Sequence, residues 1–277
     1  NDNFFQKIID EYRKKRGINA KNFAKEFGMP YFRLTDCRRL IGRKKSVRLD
    51  YFLKACELCK VSKEEYILQL INLKTKGSKW PKWPLKLTQE IMWLSGIVAT
   101  DGCIVKSQRK NEAEYYKIKI SNKSKIMIDK IREIVNKFEI KPYESFKDNS
   151  YLLEFGSNLL AYLFMALGIP CKRKSYDLEI SNVIFSLPSE LIYAYLGGVF
   201  EGDGNLNIVK NEHHGMIRFF TASKKFAKGL HLLLSRLGHN NTLLTSKIKP
   251  SKLIKKISDL DMNCIILSRK EDLKRFF

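Results

Sequence analysis

The sequence predicts an α+β chain, with two similar halves of mixed helix and strand behind an all-α first unit. Leu94-Ser95-Gly96-Ile97-Val98-Ala99-Thr100-Asp101-Gly102 and Leu196-Gly197-Gly198-Val199-Phe200-Glu201-Gly202-Asp203-Gly204 repeat each other 102 residues apart. Behind each copy the period of the apolar residues switches from 3.6 to 2 and back, so strands and helices alternate twice over. Ahead of both copies, residues 1–76 show helical spacing only.

The first unit is taken in chain order. Ala20–Phe27 reads as a short helix that Asn19 caps and Gly28 breaks, and Pro30 suits the first turn of a second helix reaching Arg39. Phe23, Ala24, Phe27, Gly28, Met29, Leu34 and Cys37 supply the core positions, the small crossing residue and the turn glycine of a helix, tight turn, helix unit. Gly42-Arg43-Lys44-Lys45-Ser46 and a helix over Leu49–Leu58 follow. Together these resemble the phage-repressor class of helix-turn-helix domain. That resemblance makes residues 30–39 the recognition helix, with Tyr31, Arg33, Thr35, Asp36 and Arg39 as exposed candidates and Arg43, Lys44 and Lys45 for backbone phosphates. A helical bundle with no DNA role has the same periodicity. Residues 77–87 form the linker, where Trp80 and Trp83 are expected to anchor the chain by packing rather than by stacking on bases.

Each nonapeptide ends a helix. Leu94, Ile97 and Val98, like Leu196, Val199 and Phe200, make one apolar face. On the other face Gly96 and Thr100, and Gly198 and Gly202, stand four apart, a spacing that lets two helix backbones approach, so the copies are expected to pack on each other. Asp101 and Asp203 then fall at the C-terminal ends, where the helix dipole is already negative. Two carboxylates brought to one end of one interface suit a hard divalent cation with oxygen ligands, with Asp101, Asp203, Gly102 and Gly204 as candidate metal residues. The competing reading is that Asp-Gly opens a tight turn into a strand without catalysis.

In the first half, residues 103–106 and 115–121 read as a hairpin, with Tyr116, Ile118 and Ile120 alternating against Lys117 and Lys119. Ile126, Ile128, Ile131, Ile134, Val135 and Phe138 mark a covering helix. A second hairpin over 143–146 and 151–155 turns at Asp148-Asn149, and a last helix over 159–167 stops at Gly168 and Pro170. In the second half the expected elements are a hairpin over 205–209 and 216–222, a helix over 226–237 and a late strand over 264–267. Sliding the halves over each other sets Lys117 against Arg218. Both are expected on the solvent face, with Lys106, Lys119, Asn205 and Asn207 as further DNA-binding candidates, although a plain solvated face explains any one of them.

The two nonapeptides resemble the signature of the LAGLIDADG homing endonucleases in the single-chain, two-motif form. The resemblance covers about residues 88–277. It implies a DNA-binding saddle of two pseudo-symmetric αββαββα halves, 88–189 and 190–277, and magnesium-dependent cleavage of both strands of a long asymmetric DNA target. It implies that the cut crosses the minor groove and leaves 3′ overhangs. Asp101 and Asp203 match the family's metal-binding acids, whereas Ala99 and Glu201 occupy a variable position. Gly168-Ile169-Pro170-Cys171-Lys172-Arg173-Lys174-Ser175 resembles the segment that delivers a basic residue to the cleavage centre, which marks Lys174, with Lys172 in reserve. The second half shows no counterpart, because residues 273–277 align with 160–164. Either the native protein continues, or the second site works without its lysine.

Composition agrees with a polyanionic partner: 52 Lys and Arg against 29 Asp and Glu give a net charge of +23. That balance points to double-stranded DNA and leaves RNA open. No run reaches the length of a membrane span. Six cysteines suggest free thiols in a reducing, intracellular setting rather than a disulfide framework, and Cys56 and Cys59 fit a buried helix face better than a zinc site. Two motifs in one chain predict a monomer. Two other readings stand beside the endonuclease: a non-cleaving regulator or intron RNA maturase on the same scaffold, and an endonuclease region derived from an intein.

Overall fold

The structure, a computed structural model, describes residues 2–28, 31, 49–61, 87–107, 115–171, 174–209, 214–248 and 260–276. It divides into two compact units, residues 1–86 and 87–277, each taken by itself.

In the first unit α1 is Asp2–Arg16, α2 is Ala20–Phe27 and α3 is Leu49–Leu58. The Asn19 side chain accepts a bond from the Asn22 N–H, and Gly28, at φ 66°, closes the other end of α2. Phe5, Ile8, Ile9, Phe23, Ala24, Phe27, Phe52, Ala55 and Cys56 form the core. Burying each large side chain contributes about 1.5–3 kcal/mol, which holds three short helices that would not persist alone. Cys56 is buried within this core, and burial pushes the Cys59 thiol up to about 11, so it stays protonated. Of the candidates for DNA contact in the first unit, Tyr31 is described, and it is exposed. Arg33, Thr35, Asp36, Arg39, Arg43, Lys44 and Lys45 lie outside the described residues, as do Trp80 and Trp83.

The second unit is α+β. Its first half runs α4 (Gln89–Thr100), β1 (Gly102–Ser107), β2 (Tyr115–Asn122), α5 (Lys125–Asn136), β3 (Tyr143–Lys147), β4 (Ser150–Gly156) and α6 (Asn158–Ala166). Two short helices, α7 (Lys174–Asp177) and α8 (Asn182–Ser186), lead to the second half: α9 (Ser189–Asp203), β5 (Gly204–Val209), β6 (His214–Thr221), α10 (Lys224–Arg236), β7 (Thr242–Ile248), β8 (Leu260–Leu267) and α11 (Lys270–Phe276). The sheets are antiparallel and share one topology, β1-β2-β4-β3 and β5-β6-β8-β7.

Alternation decides which way each sheet faces. Ile104, Ile118, Ile120, Leu153 and Phe155 are buried under Ile128, Ile131, Ile134 and Val135 of α5. Ile217, Phe219, Ile265 and Leu267 lie likewise under Phe226, Leu230, Leu233 and Leu234 of α10. Ser124 and Ser223 cap those two helices in the same way. Asp148 and Asn149 both adopt positive φ, at 51° and 59°, as a two-residue hairpin turn requires.

Three expectations about the strands and their register need correction. β7 is a full strand that residue spacing did not mark, and β8 begins at Leu260 rather than near Cys264. The third correction concerns register: Gly102 pairs with Ile120 but Gly204 pairs with Phe219, because the β5–β6 hairpin is three residues shorter. Lys119, not Lys117, is therefore the equivalent of Arg218, and Lys117 corresponds to Met216.

Candidate functional site

The site begins with two helices that touch through their backbones. A Cβ added at Gly96 would meet the Val199 nitrogen at 2.7 Å, and one at Gly198 would overlap the Trp93 carbonyl oxygen and lie 3.1 Å from the Gly96 Cα. A Cβ at Gly202 would run into the Thr100 side chain. Thr100 itself turns inward, its hydroxyl donating to the Gly96 and Ile97 carbonyls at 3.0 and 3.1 Å. Gly96, Thr100, Gly198 and Gly202 thus form the seam between α4 and α9. Beside it the Trp93 indole N–H donates to Glu201 at 3.0 Å, and the Lys130 ammonium lies 3.8 Å from the centre of the Trp93 ring. One aromatic side chain therefore links helices of both halves.

So close an approach brings the two helix ends together. Asp101 caps α4, and its own N–H bonds the Ile97 carbonyl. The Asn122 amide donates to its carboxylate at 2.7 Å, and the Ser121 N–H donates to its carbonyl at 3.2 Å, so the end of β2 holds this residue twice. Asp203 is the last residue of α9. Burial raises the pKa of both carboxyls: Asn122 and Lys174 pull Asp101 back down, whereas the Asp101 charge pushes Asp203 further up.

A cation from a third element completes the cluster. Lys174 opens α7, and its ammonium donates to the Thr100 carbonyl and, at 2.5 Å, to the Gly102 carbonyl. Burial pushes the lysine down, against the pull of Asp203, Cys103 and Asp101. Two carboxylates, two backbone carbonyls and one ammonium thus share a small region where helix C-termini add further negative potential. Among the described residues no group of three or more His, Cys, Asp or Glu is placed to hold a metal. A cation here would draw on the two carboxylates and neighbouring backbone oxygens, an all-oxygen donor set that fits a hard divalent ion.

Comparison with known proteins agrees with this duplicated arrangement. The LAGLIDADG-like domain family matches residues 88–165 and 190–277, more than half of the chain. The chain belongs to the LAGLIDADG-like domain family. It is 29% identical over 206 residues to an uncharacterized protein of Methanocaldococcus jannaschii, covering 69% of this chain and 23% of that protein. It is 29% identical over 203 residues to the probable translation initiation factor IF-2 of the same organism, covering 73% of this chain and 16% of that protein. The chain thus spans less than a quarter of the length of either relative. Its fold is similar to that of I-DmoI in complex with DNA and Mn, with a TM-score of 0.50 and 17% identity over 68% of this chain and 94% of that one.

On this LAGLIDADG-like scaffold the strand candidates separate by face. Lys117 and Lys119 stand on the side of the first sheet away from its covering helix, where both pair with Glu154. Asn205, Asn207 and Arg218 share the equivalent side of the second sheet, since Asn205 pairs with Arg218 and Asn207 with Met216. Lys106 does not join them. It pairs with Tyr116, whose ring packs on Tyr162 of α6, so Lys106 lies on the helix-covered side at the strand end. A residue after a Gly-led strand can be assigned to a face only by counting from the buried Ile104, and that count puts Lys106 with Ile104.

Residue spacing gave no sign of two clusters. Glu154 stands in a run of alternating apolar residues that reads as structural. The other is Tyr193, His239 and Asp272: the Tyr193 hydroxyl and His239 Nε2 are 3.0 Å apart, and His239 Nδ1 lies 3.4 Å from Asp272. His239 and Asp272 are both buried, and the cluster ties α11 to α9 and to the end of α10. Among the described residues no helix is long and apolar enough to cross a membrane.

Proposed function

We propose that this chain is a site-specific DNA endonuclease that hydrolyses phosphodiesters on both strands of a long, asymmetric duplex. The observation that carries the reading is the meeting of Asp101, Asp203 and Lys174 at the paired helix ends. Two carboxylates with raised pKa values are costly side by side, and that cost is relieved by a bound cation. Asp101 and Asp203, with the backbone of Gly102 and Gly204 beside them, would hold a divalent ion, Mg²⁺ in our reading, which when bound activates water and neutralises charge at the scissile phosphate. Asn122 fixes the Asp101 carboxylate. The Lys174 ammonium, fixed by the Thr100 and Gly102 carbonyls, is placed to stabilise charge developing on a phosphate oxygen.

DNA would lie on the sheet faces that carry Lys117, Lys119, Asn205, Asn207 and Arg218, and the net charge of +23 favours its approach. The first unit, as a helix-turn-helix domain using Tyr31, Arg33, Thr35, Arg39 and Arg43 to Lys45, would lengthen the footprint. A second reading concerns origin: the match to a 16% portion of a translation factor favours descent from a region embedded in larger host proteins. The coding sequence on either side of this chain tests it, since an embedded region is flanked by two parts of one host.

The function is tested by incubating the chain with randomised duplexes at low salt, with Mg²⁺ and separately with Ca²⁺, and sequencing cut ends and retained DNA. Cut ends at one long asymmetric site, absent with Asp101→Asn, are expected. Retention of DNA without cutting under Mg²⁺ would refute the nuclease and leave a binding protein.

A further inference from the structure

The two sheets carry different chemistry at positions that their register makes equivalent. On the first, Lys117 and Lys119 flank Glu154, one lysine on each carboxylate oxygen, with Lys119 at 2.7 Å. Hydrogen bonds from Lys117 and Lys119, together with their charges, hold its carboxyl below the usual carboxylate range against the effect of burial. On the second, Met216, Arg218 and Ile266 occupy those three places, since Lys119 faces Glu154 just as Arg218 faces Ile266. Phe220 and Leu244 on that same face are exposed. One sheet therefore presents a row of alternating charge, and the other, at the three equivalent places, a guanidinium between two apolar side chains, with the amides of Asn205 and Asn207 on the neighbouring strand.

A carboxylate is a poor choice on a surface meant only for phosphates, because it repels them and weakens its neighbours. It is a good choice opposite a donor. In the major groove a G·C pair offers two adjacent acceptors, guanine N7 and O6, beside one donor, cytosine N4. An ammonium next to a carboxylate is the complement of that edge. An A·T pair offers a methyl group where the cytosine donor would be. Each ammonium carries three N–H donors, so an ion pair to Glu154 orients a lysine without exhausting it. Glu154 is half-buried between its partners, which also restricts where it can point.

We propose that Lys117, Glu154 and Lys119 form a base-reading row that selects G·C pairs in the half-site facing the first sheet, with Glu154 as its specificity-determining residue. The inference rests on the DNA-binding reading above and deepens it. A cross-strand ion pair that served only the sheet would contribute about 0.2–1 kcal/mol to stability and would not touch sequence preference.

The test uses the full chain, randomised duplexes and Ca²⁺, with sequencing of bound DNA for wild type, Glu154→Gln and Lys119→Gln. Wild type is expected to enrich G·C at one or two adjacent positions. Glu154→Gln should lower that preference about tenfold there and leave every other position unchanged, as the loss of one good base contact does. Lys119→Gln, which removes a reader rather than its orienting partner, should alter the same positions. An unchanged preference in Glu154→Gln, with tighter binding to all sequences and a steeper salt dependence, would show that Glu154 only mutes lysine charge, and would overturn the proposal. A wild-type chain that enriches no sequence would overturn the DNA-binding reading with it, so the two failures are distinguishable.

Discussion

Replacing Gly198 with alanine adds one methyl group to the seam between α4 and α9, and the surroundings leave it nowhere to go. The new Cβ would overlap the Trp93 carbonyl oxygen, lie 3.0 Å from the Trp93 carbonyl carbon and 3.1 Å from the Gly96 Cα. All three are backbone atoms, so no rotamer change relieves the clash. The helices must separate toward ordinary contact at about 3.5–4.0 Å. Overpacking of this kind costs about 1–3 kcal/mol, equivalent to about 2–12 °C in Tm for a unit of this size. The same separation would move Asp101 away from Asp203, and a displacement near 1 Å costs about 100-fold in rate. Gly197→Ala is the control. Its Cβ would meet only Trp93 Cδ1, at 3.9 Å, so the gain in helix propensity, about 0.5–1 kcal/mol, should show undiminished. Thermal melts and cleavage rates of the three proteins decide the matter. If Gly198→Ala melts alongside Gly197→Ala and cleaves at the wild-type rate, backbone contact does not set the spacing of the acids.

Asp203→Asn should retain DNA affinity, abolish double-strand cleavage and melt above wild type at pH 7. Burial and then the Asp101 charge raise the folded pKa of Asp203 against the pull of Lys174, so its stability contribution is full below the unfolded pKa near 4 and is lost as pH rises through the folded value; the melting gap, to which a carboxylate at a helix C-terminus alone would add about 0.3–1 kcal/mol, should close toward pH 4. Lys174→Met should slow cleavage about 100-fold with affinity retained, as loss of one charge-stabilising donor does; an unaltered single-turnover rate would remove it from the site. For His239, burial lowers the folded pKa, with Asp272 opposing, so its stability contribution holds above about pH 6.5 and is lost as pH falls below it. Melting wild type and His239→Gln between pH 7 and 5.5 checks this: wild type should lose more, and parallel slopes would refute it.

Much of the site was legible because a motif states its geometry twice. The doubled Gly spacing foretold the seam, and the Asp-Gly ends foretold where the carboxylates meet. The errors also have physical causes. The offset is 102 residues at the motif helices and falls to 99 past the shorter β5–β6 hairpin, so sliding the sequence alone sets Arg218 near Lys117 where the fold sets it against Lys119. β8 opens with Leu260-Asp261-Met262-Asn263, and the buried Asn263 bonds Thr245 and the Thr221 carbonyl, a tertiary role that no period reveals. β7 reads Thr-Leu-Leu-Thr-Ser-Lys-Ile, in which neither face is consistently apolar. The Tyr193, His239 and Asp272 cluster joins residues far apart in sequence, and only folding assembles it.

Lys174 sits on the stretch of chain that passes from one half to the other, and that placement has an engineering consequence. A chain built from two similar halves invites separation into two polypeptides, and the connecting stretch is the obvious place to cut. Here Gly168, with φ at 105°, and the bond from the Ser223 hydroxyl to the Leu178 carbonyl at 2.6 Å hold that crossing in one path. A split or permutation at the crossing would release Lys174, an ammonium that both acids feel. Divided versions should instead be opened at a hairpin tip such as Asp148-Asn149, leaving the bridge whole.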